Sequence, residues 1–131
     1  MLKKVYFASK AKEAPMWRKV ARKLPEGIVN ISSWIYHTGE TDSDLWFKAT
    51  REAASADFVV ALIEPGELHK GDLVEIGACL GAGGRVLLCG DTPEGHSWMN
   101  HPMVRWAPTV EQALECVVFP RAAQLISERK P

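Results

Sequence analysis

The sequence predicts an α/β domain in which helices cover both faces of a parallel sheet of about five strands. The apolar run at 58–63, FVVALI, is rich in β-branched residues and too short to cross a membrane, which is typical of a strand buried on both faces. A second apolar run at 85–89 follows after a polar loop and a helical pattern. Strand, helix and strand form a βαβ unit, whose crossover we expect to be right-handed. These patterns together predict a three-layer fold of the flavodoxin or Rossmann type.

The other elements follow in chain order. We predict strands at 4–8, 28–32 and 103–106, helices at 13–24, 44–56, 71–80 and 109–119, and a long irregular loop at 33–43. Asp44 is a candidate N-cap or first-turn acid of its helix, and Thr109 is the predicted N-cap of the last helix. The glycines at 81–84 follow a helix instead of opening one, which predicts a helix C-cap and not a dinucleotide-binding turn. Residues 1–119 are predicted as one domain, and 120–131 as a tail or a short further helix.

The composition limits the classes of ligand and the compartment. Lys plus Arg and Asp plus Glu each number 16, so the chain lacks the basic excess that a nucleic-acid polymer or an anionic membrane surface attracts. No apolar run is long enough to span a bilayer. The three cysteines lie within predicted helices or strands without CxxC spacing, which predicts buried, reduced thiols and a cytoplasmic location. No His or Cys cluster has the spacing of a metal site.

Ligands of parallel sheets bind beyond the carboxyl ends of the strands, so the loop at 64–71 and the start of the next helix are the candidate site. Glu75 is the residue that stands out there. Leu73, Ile76 and Leu80 fall at helical spacing and form the predicted core stripe, and Glu75 is off that stripe. Small neighbours three and four residues away leave its carboxylate open to a small molecule. The other interpretation is a solvated surface glutamate.

The segment 56–88 resembles the core of the nucleoside 2-deoxyribosyltransferase superfamily, which also includes nucleoside 5′-monophosphate N-glycoside hydrolases. The matching residues are Ala56-Asp57, Glu75-Ile76-Gly77, Gly84 and Arg85-Val86. Small members often found in phages are also similar at Ser32-Ser33-Trp34-Ile35, Trp46 and His101-Pro102. The glutamate of this motif is the family's nucleophile, so the resemblance implies that role for Glu75.

Tyr6-Phe7-Ala8-Ser9 resembles the first-strand motif of the superfamily, where the loop contacts the base, sugar or phosphate of the substrate. The resemblance therefore implies substrate contacts from Tyr6, Ala8, Ser9 and Lys10. A hydroxyl and an ammonium group at Ser9 and Lys10 suit a phosphate. The other interpretation is a polar turn with a solvated lysine.

Further candidates come from the neighbouring loops. Trp34 offers a ring that can stack on a base, or else it covers the core or a dimer contact. Gly71 and Asp72 begin the helix of Glu75 at the same edge and are predicted substrate contacts. His69 is a candidate proton donor to the leaving base, because an unperturbed histidine has a pKa of about 6.5. The other interpretation of His69 is a solvated loop histidine.

Two positions depart from the family pattern. Many relatives carry a sugar-binding aspartate where this chain has Ala49, and an acid or a serine where it has His69. The base, the sugar and the need for a 5′-phosphate are therefore left open, as is the choice between hydrolysis and transfer.

The predicted function is an enzyme that cleaves or exchanges the N-glycosidic bond of a (deoxy)nucleoside or nucleotide through a covalent intermediate on Glu75. This chemistry requires no metal or redox cofactor. The alternative is a non-catalytic nucleotide-binding module on the same fold, which Ala49 and His69 favour. A flavodoxin-like regulatory domain is a third reading, but the acidic cluster with a phosphoacceptor is not evident. The resemblance also implies a homodimer or a higher homo-oligomer.

Overall fold

The computed structural model describes residues 2–37, 39–64, 70–90 and 96–119, with only the backbone of Lys70. The described part contains a parallel sheet of five strands in the order β2-β1-β3-β4-β5, which confirms the predicted fold class. The strands are β1 (Lys3–Ala8), β2 (Ile28–Asn30), β3 (Phe58–Ile63), β4 (Arg85–Gly90) and β5 (Val104–Ala107). The predicted tail at 120–131 lies outside the described residues.

Helices cover both faces of this sheet. They are α1 (Ala14–Arg22), α2 (Asp42–Ser55), α3 (Lys70–Gly81) and α4 (Val110–Val118), with short 3-10 helices at Ala11–Glu13, Ser33–Tyr36 and Ser97–Asn100. Side chains alternate along a strand. In β1, Val5 and Phe7 accordingly join a core with α1 and α4, whereas Tyr6 and Ala8 join a second core with α2 and α3. The sheet is therefore the middle of three layers.

The helix ends show how local sequence sets the boundaries. α2 begins two residues earlier than predicted, because the Thr41 side chain accepts a hydrogen bond from the Asp44 backbone N–H at 3.2 Å. Of the two predicted roles for Asp44, the structure confirms the first-turn acid, and Thr41 is the N-cap. The prediction for Thr109 is confirmed, since its hydroxyl accepts from the Gln112 N–H at 3.1 Å. Gly83, at a φ of +88°, ends α3 in the left-handed region that favours glycine.

The predicted irregular loop at 33–43 begins with a 3-10 helix instead. Ile35 within it is fully buried against α1 and the sheet. Arg18 of α1 donates to the Ile35 carbonyl at 2.7 Å, which satisfies a backbone acceptor in this turn. This turn holds the side chain of Trp34 next to the end of β1.

The buried face of α3 differs from the predicted one. Its buried side chains are Asp72, Glu75, Ile76 and Cys79. Leu73 and Leu80, predicted as core, are only half-buried. The prediction that Glu75 lies off the buried stripe is therefore wrong, because α3 turns the carboxylate side toward β1 and α2. In the described residues, no helix is both long and apolar enough to cross a membrane.

Candidate active site

A cleft of about 300 Å³ lies at the carboxyl end of β1, between the sheet and the starts of α2 and α3. This volume is at the lower end of the range for small-molecule sites. The residues that line it are Tyr6, Ser9, Lys10, Ala11, Trp34, Leu45, Trp46, Ala49, Gly71, Asp72 and Glu75. The edge of the sheet at which it opens is the one where ligands of parallel sheets bind.

Tyr6 and Glu75 meet at the base of this cleft. The Tyr6 hydroxyl donates a hydrogen bond to Glu75 Oε2. Tyr6 is fully buried and Glu75 is only 6% exposed. Tyr6 lies on β1 and Glu75 lies on α3, so two segments that are far apart in the chain form the pair. The bond holds one carboxyl oxygen in place.

Burial sets the protonation of this pair. Burial is the main cause that raises the pKa of Glu75. The hydrogen bond from Tyr6 lowers this pKa and the neighbouring charges of Asp72 and Glu52 raise it, and the net value is about 8. Burial and the charge of Glu75 also raise the pKa of Tyr6. Tyr6 therefore remains a hydrogen-bond donor at neutral pH. Glu75 changes its charge within the physiological range.

Asp72 is the second carboxyl group on the wall of the cleft. It precedes Glu75 by three residues on α3, so one turn of helix separates the two side chains. Asp72 is 4% exposed. Glu52, on α2, is held differently, since its Oε1 accepts from the Ser33 backbone N–H at 3.0 Å. The cleft thus combines two buried carboxyl groups with a phenol.

Trp46 forms a wall that sequence reasoning did not assign to the site. A Cβ atom on Gly71 would lie 2.9 Å from Trp46 Cη2, so the glycine lets the indole lie against the start of α3. Leu45 and Ala49 extend this apolar wall along α2. The sequence feature that could have identified this wall is the position of these residues in the first turns of a helix that begins at the carboxyl edge of the sheet.

Two further indole groups fix the opposite wall. Trp34 Nε1 donates to the Phe7 carbonyl at 2.7 Å, which anchors the ring beside the cleft. Trp17 Nε1 donates to Ser9 Oγ at 2.6 Å. Ser9 Oγ in turn donates to the Lys10 carbonyl at 3.4 Å. The Ser9 hydroxyl is therefore oriented by Trp17, which sequence reasoning placed only in the core.

The structure brings most of the sequence-predicted site residues to one cleft: Tyr6, Ser9, Lys10, Trp34, Gly71, Asp72 and Glu75. The Ala8 side chain is fully buried within the α2–α3 core and does not line the cleft, because it points between strand and helix. His69 lies outside the described residues. Among the side chains described, no group of three or more His, Cys, Asp or Glu is arranged to hold a metal ion.

Comparisons with known proteins bear on the fold. No protein-family model matches the sequence, and a search of curated proteins found no match. A 2-deoxyribosyltransferase from the psychrotolerant bacterium Bacillus psychrosaccharolyticus has a TM-score of 0.66 and 19% identity, covering 97% of this chain and 99% of that chain. A CMP N-glycosidase of Clostridium botulinum has a TM-score of 0.62 and 15% identity, covering 90% and 99%. A conserved protein of Enterococcus faecalis V583 has a TM-score of 0.57 and 19% identity, covering 95% and 79%.

The first two of these proteins are enzymes of the superfamily whose motifs the sequence resembles. At identities of 15% and 19%, the likeness concerns the fold. The resemblance noted in the sequence is confirmed at that level. This chain has the fold of the nucleoside 2-deoxyribosyltransferase superfamily.

Proposed function

We propose that this protein cleaves or exchanges the N-glycosidic bond of a nucleoside or nucleotide, with Glu75 as the nucleophile. The observation that carries the proposal is the buried carboxyl group of Glu75, which lines a cleft and accepts a hydrogen bond from Tyr6. Structural neighbours that act on such bonds, a 2-deoxyribosyltransferase and a CMP N-glycosidase, support the same class of reaction.

In the proposed reaction, the ionised Glu75 attacks the anomeric carbon as the bond to the base breaks through an oxocarbenium-like transition state. Tyr6 holds Oε2, so the other oxygen of the carboxylate is the one that attacks. Water then releases the sugar, or a second base accepts it. Trp46 and Leu45 line the cleft, and we propose that a bound substrate packed against them limits the access of water to the reacting atoms.

The other contacts with the substrate are proposed from where each residue lies relative to the cleft. Ser9 and Lys10, which follow β1 and line the cleft, are proposed to hold the sugar or a phosphate. The backbone of Ala8 stays a proposed substrate contact on the basis of the sequence. Trp34 is proposed to contact the base, and Gly71 and Asp72 the sugar side of the substrate. His69 stays a proposed proton donor on the basis of the sequence.

A non-catalytic nucleotide-binding module is the second candidate. Ala49 favours it, because it lines the cleft at the position where many relatives carry a sugar-binding aspartate. Such a module would bind nucleosides or nucleotides in the same cleft without releasing the base.

An activity screen separates the two candidates. The protein is incubated with deoxynucleosides, ribonucleosides and their 5′-monophosphates, and the free base is followed by chromatography. We expect base release from the wild type and its loss in Glu75→Gln, a change that keeps the shape of the side chain. Glu111→Gln is the matched control, since Glu111 is exposed on α4. Binding of a nucleoside or nucleotide without any base release would favour the module. Base release by Glu75→Gln at the wild-type rate would show that Glu75 is not the nucleophile.

We also propose a homodimer or higher homo-oligomer in the cytoplasm. Exposed apolar side chains on α2 and α3, Phe47 and Val74 at 62% and 51%, support a contact between copies. The three buried, free thiols support a reducing compartment. Light scattering of the purified protein measures the assembly, and a monomer at micromolar concentration would contradict it.

A further inference from the structure

Asp72 and Glu75 present two buried carboxyl groups to one cleft. They are separated by one turn of α3 and both line the cleft, with exposures of 4% and 6%. Residues three apart on a helix face have Cβ atoms roughly 5–6 Å apart. Enzymes that cleave glycosidic bonds with retention use two carboxyl groups at the reacting bond, one as the nucleophile and one as the acid–base partner. Two buried carboxyl groups on one side of α3, both lining the cleft, are placed to take these two roles.

We propose that Asp72 is the acid–base residue of this reaction. The two carboxyl groups share one proton, and in the reactive form Glu75 is ionised and Asp72 carries the proton that it donates to the departing nucleobase. The proposal rests on the proposed function, because it assigns the partner of the Glu75 nucleophile. It gives a chemical role to a carboxyl group that was so far only a predicted substrate contact.

The other titratable groups fit this role less well. Among the described residues that line the cleft, the titratable side chains are Tyr6, Lys10, Asp72 and Glu75. The Tyr6 proton is committed to the hydrogen bond with Glu75. An ordinary lysine ammonium is a much weaker acid than a carboxylic acid. Glu52 approaches the pair from α2, but its Oε1 accepts from the Ser33 backbone at 3.0 Å and it does not line the cleft.

The proposed reaction has two steps. In the first, an oxygen of Glu75 bonds to C1′, the electron pair of the C1′–N bond passes to the base, and the Asp72 carboxyl proton moves to that base. Asp72 is then a carboxylate. In the second, it takes a proton from water as the water oxygen bonds to C1′ and the ester to Glu75 breaks. For transfer, an acceptor base takes the place of water and gives its N–H proton to Asp72.

Leaving groups that need no proton test this role. We would compare 2′-deoxyguanosine with its 7-methyl form, and 2′-deoxyuridine with its 5-fluoro form, using the pair that the wild type cleaves. Asp72→Asn is expected to slow release of the ordinary base by about 10²–10⁴-fold, the usual contribution of a general acid. Release of the activated base is expected to fall by less than about 10-fold. Asp72→Glu, which keeps the acid, is expected to recover part of the lost rate.

Two controls separate chemistry from charge and folding. Glu52→Gln removes another negative charge near Glu75 without removing an acid from the cleft wall. It should therefore change the rate of base release from both substrates of a pair by the same factor. Thermal melting of each variant reports whether it is folded at the assay temperature.

A second measurement follows the intermediate. With an activated base, Asp72→Asn lacks the group that deprotonates water, so the sugar should accumulate on the enzyme as an adduct seen by intact-mass spectrometry. Azide, which needs no deprotonation, should release it as a glycosyl azide. A purely structural role predicts neither the adduct nor the azide product.

The outcomes distinguish the inference from the function it extends. Equal slowing of both members of a pair by a folded Asp72→Asn, with no adduct, would overturn the role of Asp72 and leave Glu75 in place; the proton would then come from His69 or solvent. If the wild type releases no base from any substrate of the screen, the proposed function fails, and the role of Asp72 fails with it.

Discussion

The Tyr6 hydroxyl donates a hydrogen bond to Glu75 Oε2, joining residues 69 positions apart in the chain. One comes from the strand next to β3 and the other from the helix that follows β3. The bond stabilises the charged form of a carboxyl group that burial keeps protonated at neutral pH. The stability and the proposed reactivity of the protein are therefore linked at this pair.

Stability should fall as the pH rises from 4.5 to 8. The pKa of Glu75 rises from 4.5 to about 8 on folding, so the folded chain binds more protons than the unfolded chain within that window. Below pH 4.5, Glu75 is protonated in both the folded and the unfolded chain. Burial of the neutral side chain then carries no cost of burying a charge. The loss across the window is at most about 1.4 kcal/mol per pH unit.

Glu75→Gln should remove this pH dependence. Urea unfolding at pH 4.5, 6.5 and 8.5 measures the free energy of unfolding of both proteins. Between the lowest and the highest pH, we expect the free energy of unfolding of the wild type to fall by about 2–4 kcal/mol relative to that of the variant. Parallel curves for the two proteins would show that Glu75 is not the group responsible.

Tyr6→Phe should shift the reaction to higher pH. The hydrogen bond from Tyr6 lowers the pKa of Glu75, so its loss raises that pKa above 8 and leaves less of the ionised nucleophile at neutral pH. We expect base release at pH 7 to fall by about 10-fold or more, with part of the loss recovered at higher pH. Tyr36→Phe is the matched control, because Tyr36 is 50% exposed. An unchanged pH–rate profile would contradict the linkage.

Gly71→Ala should weaken substrate binding by moving a wall of the cleft. The new Cβ would lie 2.9 Å from Trp46 Cη2, so the indole must shift. Since Trp46 is 41% exposed, it can move without unfolding the protein. We expect KM to rise by about 10-fold, with a smaller change in kcat.

Gly77→Ala is the matched control for that change. Gly77 lies on the same helix, and a Cβ there would meet nothing within 4 Å. We expect unchanged KM and a gain in stability of about 0.5–1 kcal/mol, the usual effect of replacing a helical glycine with alanine. If both variants raise KM equally, the contact of Gly71 with Trp46 is not the cause.

The three thiols should resist modification in the folded protein. Burial raises the pKa of Cys89 to about 12 and that of Cys79 to about 11, and it also raises the pKa of Cys116. The reactive thiolate is therefore scarce at neutral pH, and the side chains are enclosed. Labelling with a disulfide reagent at pH 7.5 is expected to be slow until guanidinium is added. Fast labelling of the folded protein would contradict this burial.

Predictions made from the sequence succeeded where the signal is local. The uninterrupted apolar run of β3 identified a central parallel strand, since a strand covered on both faces buries nearly all of its side chains. The hydroxyl of Thr109 identified a helix start, because capping depends on residues three positions apart. The short helix at Ser33–Tyr36 was missed, since its stability comes from the burial of Ile35 against other elements.

The orientation of α3 shows why the site was only partly predicted. Leu73 and Val74 are apolar, and so are Ile76 and Leu80, so the apolar side chains do not define a single face. Packing between the sheet and α2 selects the face with Asp72 and Glu75 instead. Trp46 was missed as a wall of the cleft for the same reason, because its contact with Gly71 exists only when two helices lie together.

The sequence by itself determined the order of strands and helices, the parallel sheet and the helix that carries Glu75, because these follow from the local pattern of apolar residues and helix caps. The tertiary structure alone decided that this carboxyl group is buried, that Tyr6 binds it and that Asp72 lies beside it in one cleft. Those properties depend on the distances between segments far apart in the chain, and on the loss of water when the segments pack.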